Sequence, residues 1–234
     1  ANIKVYITKE DRIEEIPIED YVKSVVSGEM PASFSDEALK AQAVAARTYI
    51  MSKRSRPCDI AKGGDVCDTT HCQVYISKAS RLEKWEDKAT ENWDDTKGRV
   101  LTYNNQLVLY PQFFSTSSGM TENAVDVFSS DVPYLVSTDS EGEEIAPKYE
   151  SEITFNINEF VNEINAKYPE AALTVENLQG NIEITSRSSA GGIKEIRFGQ
   201  TKVKGLDFRL AFGLNSTNFE YTISNDQIVF KCKG

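Results

Sequence analysis

Two helical patterns near the start of the chain are separated by a break that neither can cross. After Pro17 and the acidic pair Glu19 and Asp20, the residues Tyr21, Val22, Val25 and Val26 recur at helical spacing, and Gly28 and Pro31 end the run. Ser35 is placed to cap a second helix with Asp36 and Glu37 in its first turn. Leu39, Ala43, Ala46 and Ile50 then repeat at helical spacing to about Lys53. The stretch from Glu37 to Ala46 is rich in alanine, so another element can approach its backbone closely. The break isolates one carboxylate, Glu29, between Gly28 and Met30, and the small-residue helix carries one arginine, Arg47. Any fold must therefore turn sharply at Glu29 and find an anion or water for Arg47.

The rest of the chain mixes periods. Residues 2–8 alternate as a strand, and residues 80–97, with Leu82, Trp85, Ala89 and Trp93, suit an amphipathic helix ending before Gly98. Residues 99–103 and 107–114 read as strands joined by a turn at Asn104 and Asn105. A Ser/Thr/Gly loop follows over 115–121, then a short helix near 122–127 and an acidic loop over 139–144. Residues 149–155 read as a strand and 158–167 as a helix. Alternating runs at 173–175, 182–186, 192–197 and 221–231 make the second half β-rich. The pattern predicts an α+β fold: a helix-containing core with antiparallel strands and a β-rich second half, a two-lobed body around a cleft. No repeat or linker divides the chain, so one domain over 1–234 is expected, with a smaller lobe within about 140–200.

With 40% hydrophobic residues the chain can build a substantial core, and no apolar run approaches the roughly 18 residues of a membrane span. The formal charge of −10, with lysines and arginines scattered among 36 acids, disfavours nucleic acid as a partner.

Cys58, Cys67 and Cys72 fall within 15 positions, beside the only histidine, His71, in a Pro/Gly/Asp-rich stretch with too little apolar material to hold it. Three thiolates and one imidazole would complete a tetrahedral zinc site, structural because all four ligands come from protein. A disulfide from Cys58 to Cys67 or Cys72 is the other reading. Cys232, far away in a strand-like run, reads as a lone thiol.

The Gly28-Glu29-Met30-Pro31 break with its alanine helix resembles the stage II sporulation protein D family and the related amidase-enhancer proteins. So do the loop 113–124, Phe-Phe-Ser-Thr-Ser-Ser-Gly-Met-Thr-Glu-Asn-Ala, and Val132-Pro133-Tyr134-Leu135. The resemblance implies a lytic transglycosylase that cleaves the MurNAc–GlcNAc bond of peptidoglycan during forespore engulfment, with Glu29 as the catalytic residue. Ordinary glycosidases need two carboxylates. Here the sugar's own C6 hydroxyl would attack, so one carboxyl can act first as acid and then as base, leaving a 1,6-anhydro product.

The resemblance further implies substrate-binding roles for Arg47, Ser115, Ser117, Thr121 and Tyr134. A structural ion pair for Arg47 and core packing for Tyr134 stand beside those roles. Zinc-binding members carry an Asp-x-x-His-Cys-Gln loop like Asp68 to Gln73 here. Implied partners are glycan strands lacking stem peptides, an amidase of the stage II sporulation protein P type, and membrane engulfment proteins. The implied location is the extracytoplasmic membrane face of a spore-forming bacterium, through an N-terminal anchor that this chain does not carry. The rival reading is a non-catalytic glycan-binding activator of a cell-wall amidase.

Overall fold

The computed structural model describes residues 1–85 and 94–234, and the chain forms two compact units, Ala1–Phe113 and Phe114–Gly234. Both mix helices with mainly antiparallel sheets, giving the α+β fold expected. Among the described residues no helix is long and apolar enough to cross a membrane.

The first unit begins with a hairpin, β1 (Asn2–Ile7) and β2 (Arg12–Pro17), whose strands pair from Asn2 opposite Pro17 to Ile7 opposite Arg12. The second strand escapes sequence reading because Arg-Ile-Glu-Glu-Ile-Pro buries no face. Helices α1 (Ile18–Glu29) and α2 (Asp36–Lys53) follow, and the Ser35 hydroxyl accepts the Ala38 amide as the expected cap.

Helix α1 is buried on two faces. Tyr21 and Val25 pack with Ile3, Val5, Ala46 and Ile50, while Val22 and Val26 pack with Leu39, Ala43 and Trp85. The fully buried Ala43 and Ala46 are where α2 admits its neighbours closely. A short β3 (Val66–Cys67) then joins β1 in parallel and gives the sheet order β2-β1-β3.

Helix α3 (Lys78–Trp85) starts the amphipathic run expected over 80–97; residues 86–93 of that expectation lie outside the described residues, and Asp94–Thr96 forms a single tight turn. The strands expected over 99–103 and 107–114 shrink to β4 (Thr102–Tyr103) and β5 (Gln106–Leu107). Asn104 and Asn105 both take positive φ, 50° and 61°, so the turn is as expected. Its arms stay short because Thr102, Tyr103 and Gln106 are exposed, leaving no apolar face to extend the ladder.

The second unit opens with the loop 114–123 and α4 (Ala124–Phe128). Strand β6 (Glu150–Asn156) and α5 (Ile157–Lys167) fall where expected, and Asn156 caps α5 through its side-chain oxygen. Residues 173–175 are not a strand. They run between two single-turn helices, Pro169–Ala171 and Leu178–Gly180, with Leu173 buried and tied on both sides to Asn165.

A second sheet, β7 (Ile182–Arg187), β8 (Ile193–Phe198) and β9 (Thr201–Lys204), leads into α6 (Gly205–Phe212). The run expected over 221–231 is a hairpin, β10 (Phe219–Ile223) and β11 (Gln227–Lys233), that pairs onward with β6. One core serves both sheets. Phe160, Phe198, Phe208, Phe219 and Phe230 are fully buried, with ring centroids 5.4–6.4 Å apart among the contacting pairs.

Candidate functional site

Glu29 is the last residue of α1. The chain leaves the helix at Met30, which adopts an extended conformation while its N–H still reaches the Val26 carbonyl at 2.9 Å. Helix α1 has no basic residue in its last turn, and Lys84 of α3 supplies one by donating to the Ser27 carbonyl at 2.6 Å. The half-buried Glu29 accepts the Val74 N–H on Oε1 at 3.0 Å, and its second oxygen has no partner among the described residues. Gly28 makes this approach possible: a Cβ there would stand 3.0 Å from both the Cγ1 and the carbonyl oxygen of Val74.

Val74 is fixed from the other side by the cysteine loop. Cys58, Cys67, His71 and Cys72 bring their ligand atoms within 4.8 Å of one another. His71 Nδ1 lies 3.4, 3.8 and 3.7 Å from the sulfurs of Cys58, Cys67 and Cys72. A tetrahedral zinc with the usual bond lengths sets ligand atoms about 3.6 Å (N to S) and about 3.8 Å (S to S) apart, so the cluster fits a metal ion. All four cysteines are unbridged.

The protonation chemistry agrees. Burial opposes ionisation of Cys67, yet hydrogen bonds from Thr69 and His71 bring its thiol down to about 7. Burial, with neighbouring Cys58 and Cys67, pushes Cys72 up to about 12. Thiols this close ionise together only around a cation.

Backbone and side-chain bonds stitch this loop to β1. The Lys4 amide donates to Asp65, and the Thr8 amide and hydroxyl donate to Asp68. Between Cys72 and Val74, Gln73 is 1% exposed and donates to the Tyr21 hydroxyl at 3.2 Å, beneath the stacked rings of Tyr21 and Tyr75. Sequence reading quoted Gln73 and gave it no role. Its place directly after Cys72, a candidate metal ligand, was the available sign, since such ligands need a supported backbone.

Arg47 pairs with the protein itself. It is 2% exposed, donates through Nε and Nη2 to both oxygens of Glu19 at 2.9 and 2.8 Å, and through Nη1 to the Arg99 carbonyl at 2.9 Å. Of its two readings the ion pair is the one observed, and its partner is Glu19 rather than Glu29. Burial pushes the Glu19 carboxyl up, but the bond and charge of Arg47, with the Gly98 amide, outweigh that and hold it below the usual range. Sequence reading missed Glu19 because the contact joins two helices across 28 positions.

The remaining expected residues belong to the second unit. Ser115 is exposed. Ser117 is 6% exposed and donates to Glu143 of the acidic loop at 2.9 Å while accepting the Gly119 amide. Thr121 accepts the Thr138 amide on its hydroxyl, and their backbones bond as well. The half-buried Tyr134 lies on the limb that runs back along this loop, where the Ala124 amide reaches the Leu135 carbonyl. Ser117 and Thr121 thus shape the loop, and Ser115 is left open to solvent.

The stage II sporulation protein (SpoIID) family model matches residues 6–103, which lie in the first unit. The whole chain is 37% identical over 243 residues to stage II sporulation protein D of Bacillus subtilis (strain 168), covering 68% of that protein. It is 36% identical over 246 residues to the protein of the same name from Bacillus amyloliquefaciens, again covering 68%. The B. subtilis amidase enhancer is 44% identical over 115 residues, 49% of this chain and 14% of that protein. The chain belongs to the stage II sporulation protein D family.

Proposed function

We propose that this protein is a lytic transglycosylase of bacterial peptidoglycan, acting in sporulation, with Glu29 as its single acid and base. The observation that carries the reading is the asymmetric hold on Glu29: Oε1 accepts an amide, and Oε2 has no partner among the described residues. Oε1 already accepts an N–H, which leaves Oε2 the better placed oxygen to carry the transferable proton. Glu29 gives that proton to the glycosidic oxygen between MurNAc and GlcNAc. It then takes the proton of the MurNAc C6 hydroxyl as that oxygen attacks C1, which closes the 1,6-anhydro ring. The Val74 amide stabilises the carboxylate that exists between the two transfers.

Cys58, Cys67, His71 and Cys72 are the ligands of a zinc ion whose role is structural, with no position open for water. Cys58, Cys67 and Cys72 as thiolates, with neutral His71, would hold the ion, whose charge would let the thiolates stay together in the loop from which Val74 reaches Glu29. Ser115 and Tyr134 contact sugar, Ser117 and Thr121 hold the loop that presents them, and Arg47 ties α2 to the first turn of α1 through Glu19. The substrate is glycan lacking stem peptides, met at the outer face of the membrane, and an amidase of the stage II sporulation protein P type prepares it beside membrane engulfment proteins.

Mass spectrometry of peptide-free glycan incubated with the chain tests the reading. Anhydro-muramic ends should form, and Glu29→Gln should lower their rate by about 10²–10⁴; an unchanged yield in Glu29→Gln removes the role given to Glu29. The likeness to the amidase enhancer over half the chain favours a second reading, a glycan-binding activator of a cell-wall amidase. That reading predicts no anhydro product and a faster partner amidase in the presence of either wild type or Glu29→Gln.

A further inference from the structure

Three of the four candidate metal ligands, Cys67, His71 and Cys72, lean on one residue that none of the roles above uses, Thr69. Its hydroxyl oxygen lies 3.3 Å from the Cys67 sulfur and accepts the His71 amide at 3.3 Å, and its carbonyl accepts the Cys72 amide at 3.0 Å. A hydroxyl has one proton to give and two lone pairs with which to accept. The His71 amide occupies one lone pair, and the proton stays free for the sulfur. A ligating thiolate has no proton of its own, so with Cys67 in that form the hydroxyl is the donor and the sulfur the acceptor.

The two side-chain bonds do not weigh the same. His71 is exposed, so water can replace the hydroxyl as acceptor of its amide. Cys67 is 0% exposed, so no water can replace the hydroxyl as donor to its sulfur. Loss of the hydroxyl therefore tells at Cys67. The backbone that carries Thr69 is anchored without any help from a metal: the Asp68 amide donates to the Tyr6 carbonyl at 3.1 Å, and the Asp68 carboxylate accepts the Thr8 amide and hydroxyl at 3.2 and 2.8 Å. Thr69 thus stands on β1 and reaches toward the ligands, as the outer partners of metal-binding side chains do.

We infer that Thr69 is a positioning residue of the metal centre, whose hydroxyl holds the Cys67 sulfur and the His71 backbone in the ligating arrangement and sets how tightly the cluster takes its ion. The inference rests on the zinc reading of Cys58, Cys67, His71 and Cys72 and is independent of the role given to Glu29.

Competition between the whole chain and a chromogenic zinc chelator tests it, with cobalt(II) as a spectroscopic substitute in parallel samples. Thr69→Val keeps the branched shape and the carbonyl that accepts Cys72, and removes the hydroxyl. Zinc affinity should fall about 10-fold or more. The thiolate-to-cobalt charge-transfer band should move to longer wavelength, because a sulfur that has lost its hydrogen-bond donor gives up electron density more readily. Thr69→Ser should restore both, and Thr70→Val, which removes the exposed neighbouring hydroxyl, should change neither. Wild-type affinity and band position in Thr69→Val overturn the inference. Equal losses in Thr69→Val and Thr69→Ser also overturn it, since they assign the effect to packing of the branched side chain. A wild-type chain that takes up neither zinc nor cobalt overturns the zinc reading and this inference with it, whereas tight binding that ignores Thr69 overturns this inference alone.

Discussion

Deleting either partner of the Glu19–Arg47 pair should destabilise the first unit, but by unequal amounts. Glu19→Ala strands a guanidinium that is 2% exposed and keeps only the Arg99 carbonyl as acceptor. Arg47→Met strands Glu19, whose side chain is 29% exposed, keeps the Gly98 amide and can be hydrated. Breaking a buried pair costs about 3–5 kcal/mol, mostly from the charge left behind. We therefore expect about 4 kcal/mol for Glu19→Ala and about 2 kcal/mol for Arg47→Met, whose unbranched apolar chain fills much of the same volume.

The double variant should cost less than Glu19→Ala alone, because no charge remains buried. Urea unfolding followed by tryptophan fluorescence reads this directly, since Trp85 is buried in the first unit. The pH dependence follows in sign. The folded Glu19 carboxyl is held below its unfolded value, so its contribution is complete above the ordinary glutamate value of about 4.3. That contribution is lost as pH falls through the lowered folded value, and the gap between wild type and Glu19→Ala should close there. Strict additivity of the two variants, or a larger cost for Arg47→Met, refutes the reasoning and returns Arg47 to the candidates for substrate contact.

Gly28→Ala should add helix propensity worth up to about 1 kcal/mol, yet push Val74 away from α1 by a few tenths of an ångström. Cleavage should then fall about 10-fold with metal content unchanged, and a wild-type rate would show that the Val74 amide does not position Glu29. Stripping the proposed zinc with a chelator, or His71→Ala, should speed hydrogen exchange over residues 58–75, Val74 included, with elemental analysis tracking the metal; unaltered exchange in a metal-free chain would mean the cluster does not brace the loop. Phe160→Ala should destabilise the second unit by about 3–5 kcal/mol, because its ring is fully buried among Phe198, Phe208 and Phe230. Calorimetry checks that cost, and a loss below about 1 kcal/mol would mean the aromatic core repacks.

Local rules made several features legible before any coordinates. The break at Gly28 to Pro31, the Ser35 cap, the alanine face of α2, the Asn104–Asn105 turn and helix α5 all follow from residues close together in the chain, where backbone geometry and helical spacing act directly. The four candidate metal ligands could be listed for the same reason, since three of them lie within six positions. What sequence could not supply were the partners across the fold. Nothing local marks Arg12–Pro17 as a strand, because its order comes from β1 rather than from an apolar face. Nothing local pairs Arg47 with Glu19, gives Lys84 to the end of α1, or seats Gln73 against Tyr21.

The sequence by itself determined that a lone carboxylate would end one helix, and that three thiols and an imidazole would crowd one loop. Only the tertiary structure decided that the two belong to one device, with Val74 reaching Glu29 two residues after Cys72. The physical reason is that a chain encodes its turns locally, whereas a hydrogen bond across 45 positions exists only once packing has brought Gly28 against Val74.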